Sequence, residues 1–172
     1  MKKNISHILF ITSASFIFFL DRVTKNIISS TLEPYRTLKV IGNFFRLTRV
    51  HNYGISFGIL NYANNPVATR IILLIFSILA LAFLIWMYIK SSERIIERVA
   101  IGFILGGAAG NLIDRFNPGF VIDFLDFGIN NLRFFTFNIA DSGITIGLFI
   151  LIILMIIDEK KSKSKKGDLN ET

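Results

Sequence analysis

Two aspartates sit where apolar sequence makes a carboxylate costly. Asp141 ends Phe137-Asn138-Ile139-Ala140-Asp141 and opens a run that stays apolar to Ile157, and Asp123 lies upstream in Val121-Ile122-Asp123-Phe124. A carboxylate inside a membrane helix costs about 2.5–3.5 kcal/mol at the bilayer centre and less near the interface. Such a residue marks a functional position when a partner exists for it. Two carboxylates about 3 Å apart cannot both ionise, so they share a proton and titrate as a pair. One can then activate water as a general base while the other protonates a carbonyl oxygen, as in aspartic proteases, with no metal or nucleophilic side chain. On spacing alone the alternative is that each aspartate caps or pairs locally, Asp141 lying at a helix start where a carboxylate is favoured.

Other chemistry-bearing patterns are weaker. Gly54-Ile55-Ser56-Phe57-Gly58, near His51, fits the nucleophile pattern Gly-x-Ser-x-Gly, but that motif needs a strand–turn–helix in an α/β sheet, for which this chain has no room. Lys25 could in principle serve a Ser–Lys pair, yet no serine is uniquely placed for it. Asp141-Ser142-Gly143 matches the aspartic protease triplet, and three residues carry little weight. The chain has no cysteine and only His7 and His51, which argues against thiolate chemistry and a multi-histidine metal site. No cofactor is expected.

The elements that must position these residues are membrane helices. Of 172 residues 52% are hydrophobic, eighteen of them phenylalanine, and the apolar residues lie in blocks near the twenty-residue spanning length. The expected class is a mainly α integral membrane protein forming a single domain over residues 1–172. Helices are expected at about 5–27, 68–89, 95–113 and 139–157, with a basic tail over 158–172. The first follows Met1-Lys2-Lys3 and imitates a signal peptide, but Asp21-Arg22 stands where a cleavage pattern should be, so it reads as a retained helix. Asp21 and Lys25 are four apart, the spacing of an ion pair on one face.

Between the helices the pattern changes. Residues 28–66 carry Glu33-Pro34, Gly42, Gly54, Gly58 and Asn64-Asn65-Pro66 between short β-branched and aromatic runs (Thr37 to Ile41, Phe44 to Val50, Ile55 to Leu60), which suits a small β-rich structure at the membrane surface. A second extramembrane stretch is expected over Asp114 to Asn138. Gly102, Gly106 and Gly110, four apart, and Gly143 and Gly147 allow close helix packing, which would bring the ends of helices three and four together. Lys160-Lys161-Ser162-Lys163-Ser164-Lys165-Lys166 reads as a juxtamembrane tail facing cytoplasm and anionic lipid. Ten Lys and Arg fall on the side of the termini and nine on the other. Those ten crowd short segments beside helix ends, which favours cytoplasmic termini. The net charge of +7 does not form an aromatic-interleaved basic surface, so nucleic acid is not an expected partner.

Gly106-Gly107-Ala108-Ala109-Gly110-Asn111-Leu112-Ile113-Asp114-Arg115, with Asp21-Arg22-Val23-Thr24-Lys25, Asn52-Tyr53-Gly54, Val121-Ile122-Asp123-Phe124 and Phe137-Asn138-Ile139-Ala140-Asp141, closely resembles the bacterial lipoprotein signal peptidases (signal peptidase II). Five ordered blocks between four spans are very specific. The resemblance implies four membrane helices with a small extracytoplasmic β-rich cradle and a surface helix, in the bacterial inner membrane, multi-pass, with the active site near the outer face. It implies cleavage of diacylglyceryl-modified prolipoproteins just before the lipidated lipobox cysteine, by an enzyme working as a monomer among membrane lipid. By position, Asp123 and Asp141 match the catalytic aspartates. Asn52, Asn111, Arg115, Asn138 and Ala140 match positions lining or supporting that site, and Asp21 and Lys25 match a first-helix motif.

Physical roles can be attached to these neighbours. Arg115, a permanent cation, can steady the loop carrying Asp123, hold a lipid headgroup, or simply snorkel. Asn111 and Asn138 offer amides to orient carboxylates or substrate. Asp114 is expected to face solvent or pair with Arg115. Two departures from the family pattern, Ile55 after Asn52-Tyr53-Gly54 and Thr136 before Phe137-Asn138, concern the shape of the cradle. A reading from a different class is a small proton-coupled transporter using Asp21, Asp123 and Asp141 as relays. Against it, these residues cluster at one end of the spans, leaving the other half without polar steps. A structural subunit would not need five polar blocks.

Overall fold

The computed structural model describes residues 2–54, 66–129 and 132–170. Ser56, the expected run from Ile55 to Leu60 and Asn130-Asn131 lie outside the described residues. Four described helices are long and apolar enough to cross a membrane: α1 (Lys2–Thr31), α2 (Pro66–Lys90), α3 (Ile95–Phe116) and α4 (Ile139–Asn170). Four strands, β1 (Thr37–Ile41), β2 (Phe45–Asn52), β3 (Val121–Ile129) and β4 (Leu132–Arg133), form an antiparallel sheet in that order. No separate surface helix occurs among the described residues.

Each helix overruns its expected bounds because nothing in the flanking sequence stops it. From Asp158 to Lys166 there is neither glycine nor proline, and Lys and Glu are good helix formers. The basic segment expected as a tail therefore continues α4, tied by Lys163 Nζ to Glu159 at 2.7 Å and by Arg94 bidentate to Asp158 at 2.6 and 2.9 Å. The outward faces of the spans are apolar, with Ile71, Phe76, Leu79 and Phe83 each about half exposed or more. That suits hydrocarbon, where only polar groups need an internal partner.

α3 packs against α1, α4 and α2 and is the most buried span. The expectation that its four-residue glycine spacing faces α4 needs correction. A Cβ on Gly102 or Gly106 would strike Phe10, Ser13 or Ala14 of α1. It is Gly107, one residue off that stripe, that admits the Ala140 backbone of α4, and Gly147 of α4 that admits the Ala100 backbone. α3 thus presents two small-residue faces, and the ends of α3 and α4 do meet.

The sheet sits at the end of the bundle where α3 finishes and α4 begins. Ile28 of α1 packs with Ile122 and Phe124 of β3, and Leu32, Leu47, Phe120 and Ile139 close around them. α3 runs on through Asp114 and Arg115 to Phe116, so the stretch expected as extramembrane from Asp114 starts later. Its longest ordered element is β3, which pairs Val50 with Asp123 and Asn52 with Val121. Phe137 is zipped to β3 through Phe124 N–H and Leu125 N–H, which donate to its carbonyl at 3.0 and 2.8 Å. That zipper delivers Asn138, and with it the start of α4, to the side of Asp123.

Candidate functional site

Asn138 caps α4. Its side-chain Oδ1 accepts the Asp141 N–H at 2.9 Å, and the Asp141 carboxylate accepts the Asn138 N–H at 3.4 Å. The pattern is a reciprocal capping box in which aspartate occupies the place usually taken by Glu or Gln. Capping and chemistry are therefore not alternatives for Asp141. The other end of the Asn138 amide, Nδ2, donates to Asp123 Oδ1 at 2.7 Å. One residue touches both carboxylates.

The two aspartates have separate supports. Strand alternation puts Asn52 on the same face as Asp123, diagonally across the β2–β3 pair. Asn52 Nδ2 donates to Asp123 Oδ2 at 2.8 Å, while Asn52 Oδ1 accepts Gly54 N–H at 2.9 Å. Asn111 of α3 donates from Nδ2 to Asp141 Oδ1 at 2.8 Å, and its Oδ1 accepts Asn138 Nδ2 at 3.2 Å and Lys25 Nζ at 3.0 Å. Asp123 is buried; Asp141 is partly open and lines a cavity of about 480 Å³ with Phe134, Phe135, Phe137, Ile144 and Thr145. Burial, and next the charge of Asp141, push the Asp123 carboxyl up to about 7, against the lowering hydrogen bonds from Asn52 and Asn138. Two neighbouring carboxyls that together retain one proton near neutrality can exchange protons with water and a carbonyl.

Beneath the pair lies a fully buried charge cluster. Lys25 pairs with Asp21 at 2.8 Å, as their spacing anticipates, and also with Asp114 at 2.7 Å; all three side chains are 0% exposed. Asp114 also pairs with Arg22. The expectation that Asp114 faces solvent or Arg115 is therefore wrong. Asp114 continues the four-residue stripe of Gly102, Gly106 and Gly110, the α3 face turned toward α1, and extending the helical periodicity past Ile113 would have shown it. Asp21 Oδ1 accepts the Ala140 N–H at 3.0 Å, so the cluster grips the first turn of α4. Ala140 is fully buried against Gly107 and Gly110, which leaves room for no larger side chain.

Arg115 lies within electrostatic reach of Asp141, Asp123 and Asp114, reaches the Gly54 carbonyl only at 3.5 Å, and has a buried Nε with no partner among the described residues. It neither snorkels away nor pairs with one carboxylate. His51 stands apart: it alternates with Asn52 onto the other face of β2 and stacks on Phe120 at 3.9 Å. Burial, and next the charge of Arg49, lower its pKa below the usual 6.5. Among the described residues no group of three or more His, Cys, Asp or Glu is placed to hold a metal.

Comparison with known proteins gives a consistent picture. Residues 13–157 match the family described as signal peptidase (SPase) II. A lipoprotein signal peptidase of Alteromonas mediterranea is 37% identical over 171 residues, covering 95% of this chain and 92% of its own. One from Staphylococcus aureus is 36% identical over 154 residues, covering 89% and 91%. A bacterial membrane enzyme solved by the in meso method at 2.3 Å superimposes with a TM-score of 0.79 at 34% identity, over 88% of this chain and 90% of that one. Another, at 1.9 Å, gives 0.74 at 36% identity, over 85% and 91%.

Proposed function

The chain belongs to the signal peptidase II family of aspartic membrane proteases, and from that premise we propose that Asp123 and Asp141 are its catalytic dyad. Its substrates on this reading are diacylglyceryl-modified prolipoproteins, cut just before the lipidated lipobox cysteine. The observation carrying the assignment is that Asn138 hydrogen-bonds both carboxylates, at 2.7 and 3.4 Å, at the mouth of an apolar cavity.

The chemistry follows from two carboxyls holding one proton. The ionised partner removes a proton from a bound water, and the oxygen attacks the scissile carbonyl. The protonated partner gives its proton to the carbonyl oxygen, so the tetrahedral intermediate is neutral. On collapse the C–N bond breaks, the leaving nitrogen takes the proton gained from water, and the intermediate returns the other to the dyad. Arg115, whose Nε has no partner among the described residues, supplies positive charge near the carboxyl that becomes ionised as it gives up its proton. The cavity offers apolar walls to the substrate's acyl chains beside Asp141. The basic end of the bundle at Arg94, Lys160 and Lys161 fits the cytoplasm, with both termini there and the dyad near the outer face of a bacterial inner membrane.

The test is cleavage of a lipidated preprotein by Asp123→Asn and Asp141→Asn in lipid. Each should lose at least about 10³-fold in kcat, within the range of general acid–base contributions, while inserting and melting as a folded protein. Near-normal cleavage by either variant refutes the dyad.

A further inference from the structure

The donors that face the amide oxygens around the dyad fix the orientation of each amide. An ammonium or a backbone N–H can only donate, so the side-chain atom facing it must be oxygen. Lys25 Nζ and Asn138 Nδ2 face Asn111 Oδ1, so Asn111 Nδ2 must face Asp141 Oδ1. The Asp141 N–H faces Asn138 Oδ1, so Asn138 Nδ2 must face Asp123 Oδ1. The Gly54 N–H faces Asn52 Oδ1, so Asn52 Nδ2 must face Asp123 Oδ2. Three amides are each anchored at the oxygen end by an obligatory donor and point a donor at the dyad.

The resulting environments are unequal. Asp123 receives a short N–H donor on each oxygen, at 2.7 and 2.8 Å, an arrangement that stabilises a carboxylate. Among the described residues Asp141 receives one short donor, on Oδ1 at 2.8 Å, while Oδ2 has only the Asn138 N–H at 3.4 Å. Asp141 Oδ2 is thus the dyad oxygen freest to bear hydrogen. With Asp141 neutral, its repulsion, which comes second to burial in raising Asp123, is removed.

Resting on the dyad reading above, we propose that Lys25 is a positioning residue. Through Asn111 it sets the amide polarity that keeps the shared proton on Asp141 Oδ2, so that Asp141 is the acid and Asp123 the base that activates water. Lys25 touches neither reacting atom. Its three ammonium donors are taken by Asp21, Asp114 and Asn111, which prevents it from approaching the carboxylates. The charged groups facing the dyad are Lys25 with Asp21 from α1, Arg115 with Asp114 from α3, and the aspartates themselves on β3 and α4.

The test uses the two limbs of the pH profile of kcat/KM for a lipidated preprotein, which report the first and second ionisations of the pair. If Asp123 ionises first, Asn52→Leu removes a donor from the carboxylate present in both later states. It should raise the acidic limb by about 1 unit and leave the alkaline limb in place. Asn111→Leu removes the donor to the carboxyl that ionises second, and should raise the alkaline limb alone. Lys25→Met removes a nearby cation and should raise both limbs by about 1–3 units. The opposite pattern for the two asparagines places the proton on Asp123 and overturns the proposal. Lys25→Met with reduced kcat but unmoved limbs makes Lys25 a packing element only, which also overturns it. Where a variant cleaves too slowly or does not fold, ¹³C carboxyl titration of the unaltered enzyme, with signals assigned from the single Asp→Asn variants, decides the point. The lower step must belong to Asp123. Retained cleavage by Asp123→Asn or Asp141→Asn is a different failure, that of the dyad itself.

Discussion

Gly107 is the position at which a single methyl group tests the link between helix packing and chemistry. A Cβ there would overlap the Ala140 carbonyl oxygen and lie 2.9 Å from Ile144 Cγ1 and 3.1 Å from the Ala140 carbonyl carbon, where ordinary contact begins near 3.4 Å. Ala140 is backbone on the first turn of α4, fully buried and held by Asp21, so it cannot yield without moving its neighbour Asp141. A displacement of about 1 Å at a catalytic group costs about 10²-fold in rate, equivalent to about 2.7 kcal/mol in barrier. Gly107→Ala should therefore lower kcat on a lipidated preprotein by about 10²-fold at saturating substrate. Gly102→Ala is the control. Its Cβ would meet Ser13 and the Phe10 carbonyl of α1, far along α3 from Asn111, so it should lower Tm while keeping most of kcat. The two variants are compared by turnover and by thermal melting in the same lipid. If Gly107→Ala retains kcat within a few-fold, or Gly102→Ala loses as much, the α3–α4 contact does not position the dyad.

Asp126→Asn should loosen the sheet. Asp126 accepts from Arg46 at 3.1 Å, Thr48 at 2.9 Å and Arg133 at 2.9 and 2.5 Å, and losing its charge should cost about 1–3 kcal/mol, or about 2–4 °C in Tm per kcal/mol. Burial raises its pKa, but hydrogen bonds from Arg133 and Thr48 and the charges of Arg133 and Arg46 outweigh that and hold it below the usual 3.8. Its contribution is therefore present above pH 3.8 and disappears as pH falls through the lower folded value, so amide exchange in β2 and β3 should quicken in that acidic window. The dyad has the opposite sign: burial, and next the charge of Asp141, raise the Asp123 carboxyl from 3.8 to about 7, and because the two carboxyls titrate as a pair, wild type loses stability as pH climbs across that window whichever oxygen carries the retained proton. Asp123→Asn should gain in Tm over wild type between those values and hold the gain above about pH 7; a difference flat with pH would contradict the burial argument. Ser56→Ala should leave cleavage nearly unchanged, and a large loss there would revive the Gly-x-Ser-x-Gly reading.

Much of the site was legible because its residues are expensive where they occur. Asp21 and Lys25 at helical spacing, Asp141 at the head of an apolar run and Asp123 just before it are residues that a bilayer tolerates only with partners. β1 was readable to its ends from β-branched runs between turn residues. Asp114 was misjudged because polar residues at the end of a helical pattern look like a helix stop, whereas burial beside Lys25 and Arg22 keeps α3 going through Arg115. The end of α4 was set too early, at Ile157, for a similar reason, since a basic, apolar-poor segment loses its periodicity signal while keeping its helix propensity.

The amino-acid order by itself determined the class, four spans around a small sheet, and which carboxylates were candidates, because hydropathy and spacing are local properties. It did not determine which glycine meets which helix, or where each amide points. Those depend on contacts between residues far apart in the chain: Lys25 on Asn111, Asn138 on Asp123, Asn52 across the sheet, Gly107 under Ala140. Only the folded chain decides them, because a hydrogen bond has direction and an overlap has a distance, and neither exists until two segments meet.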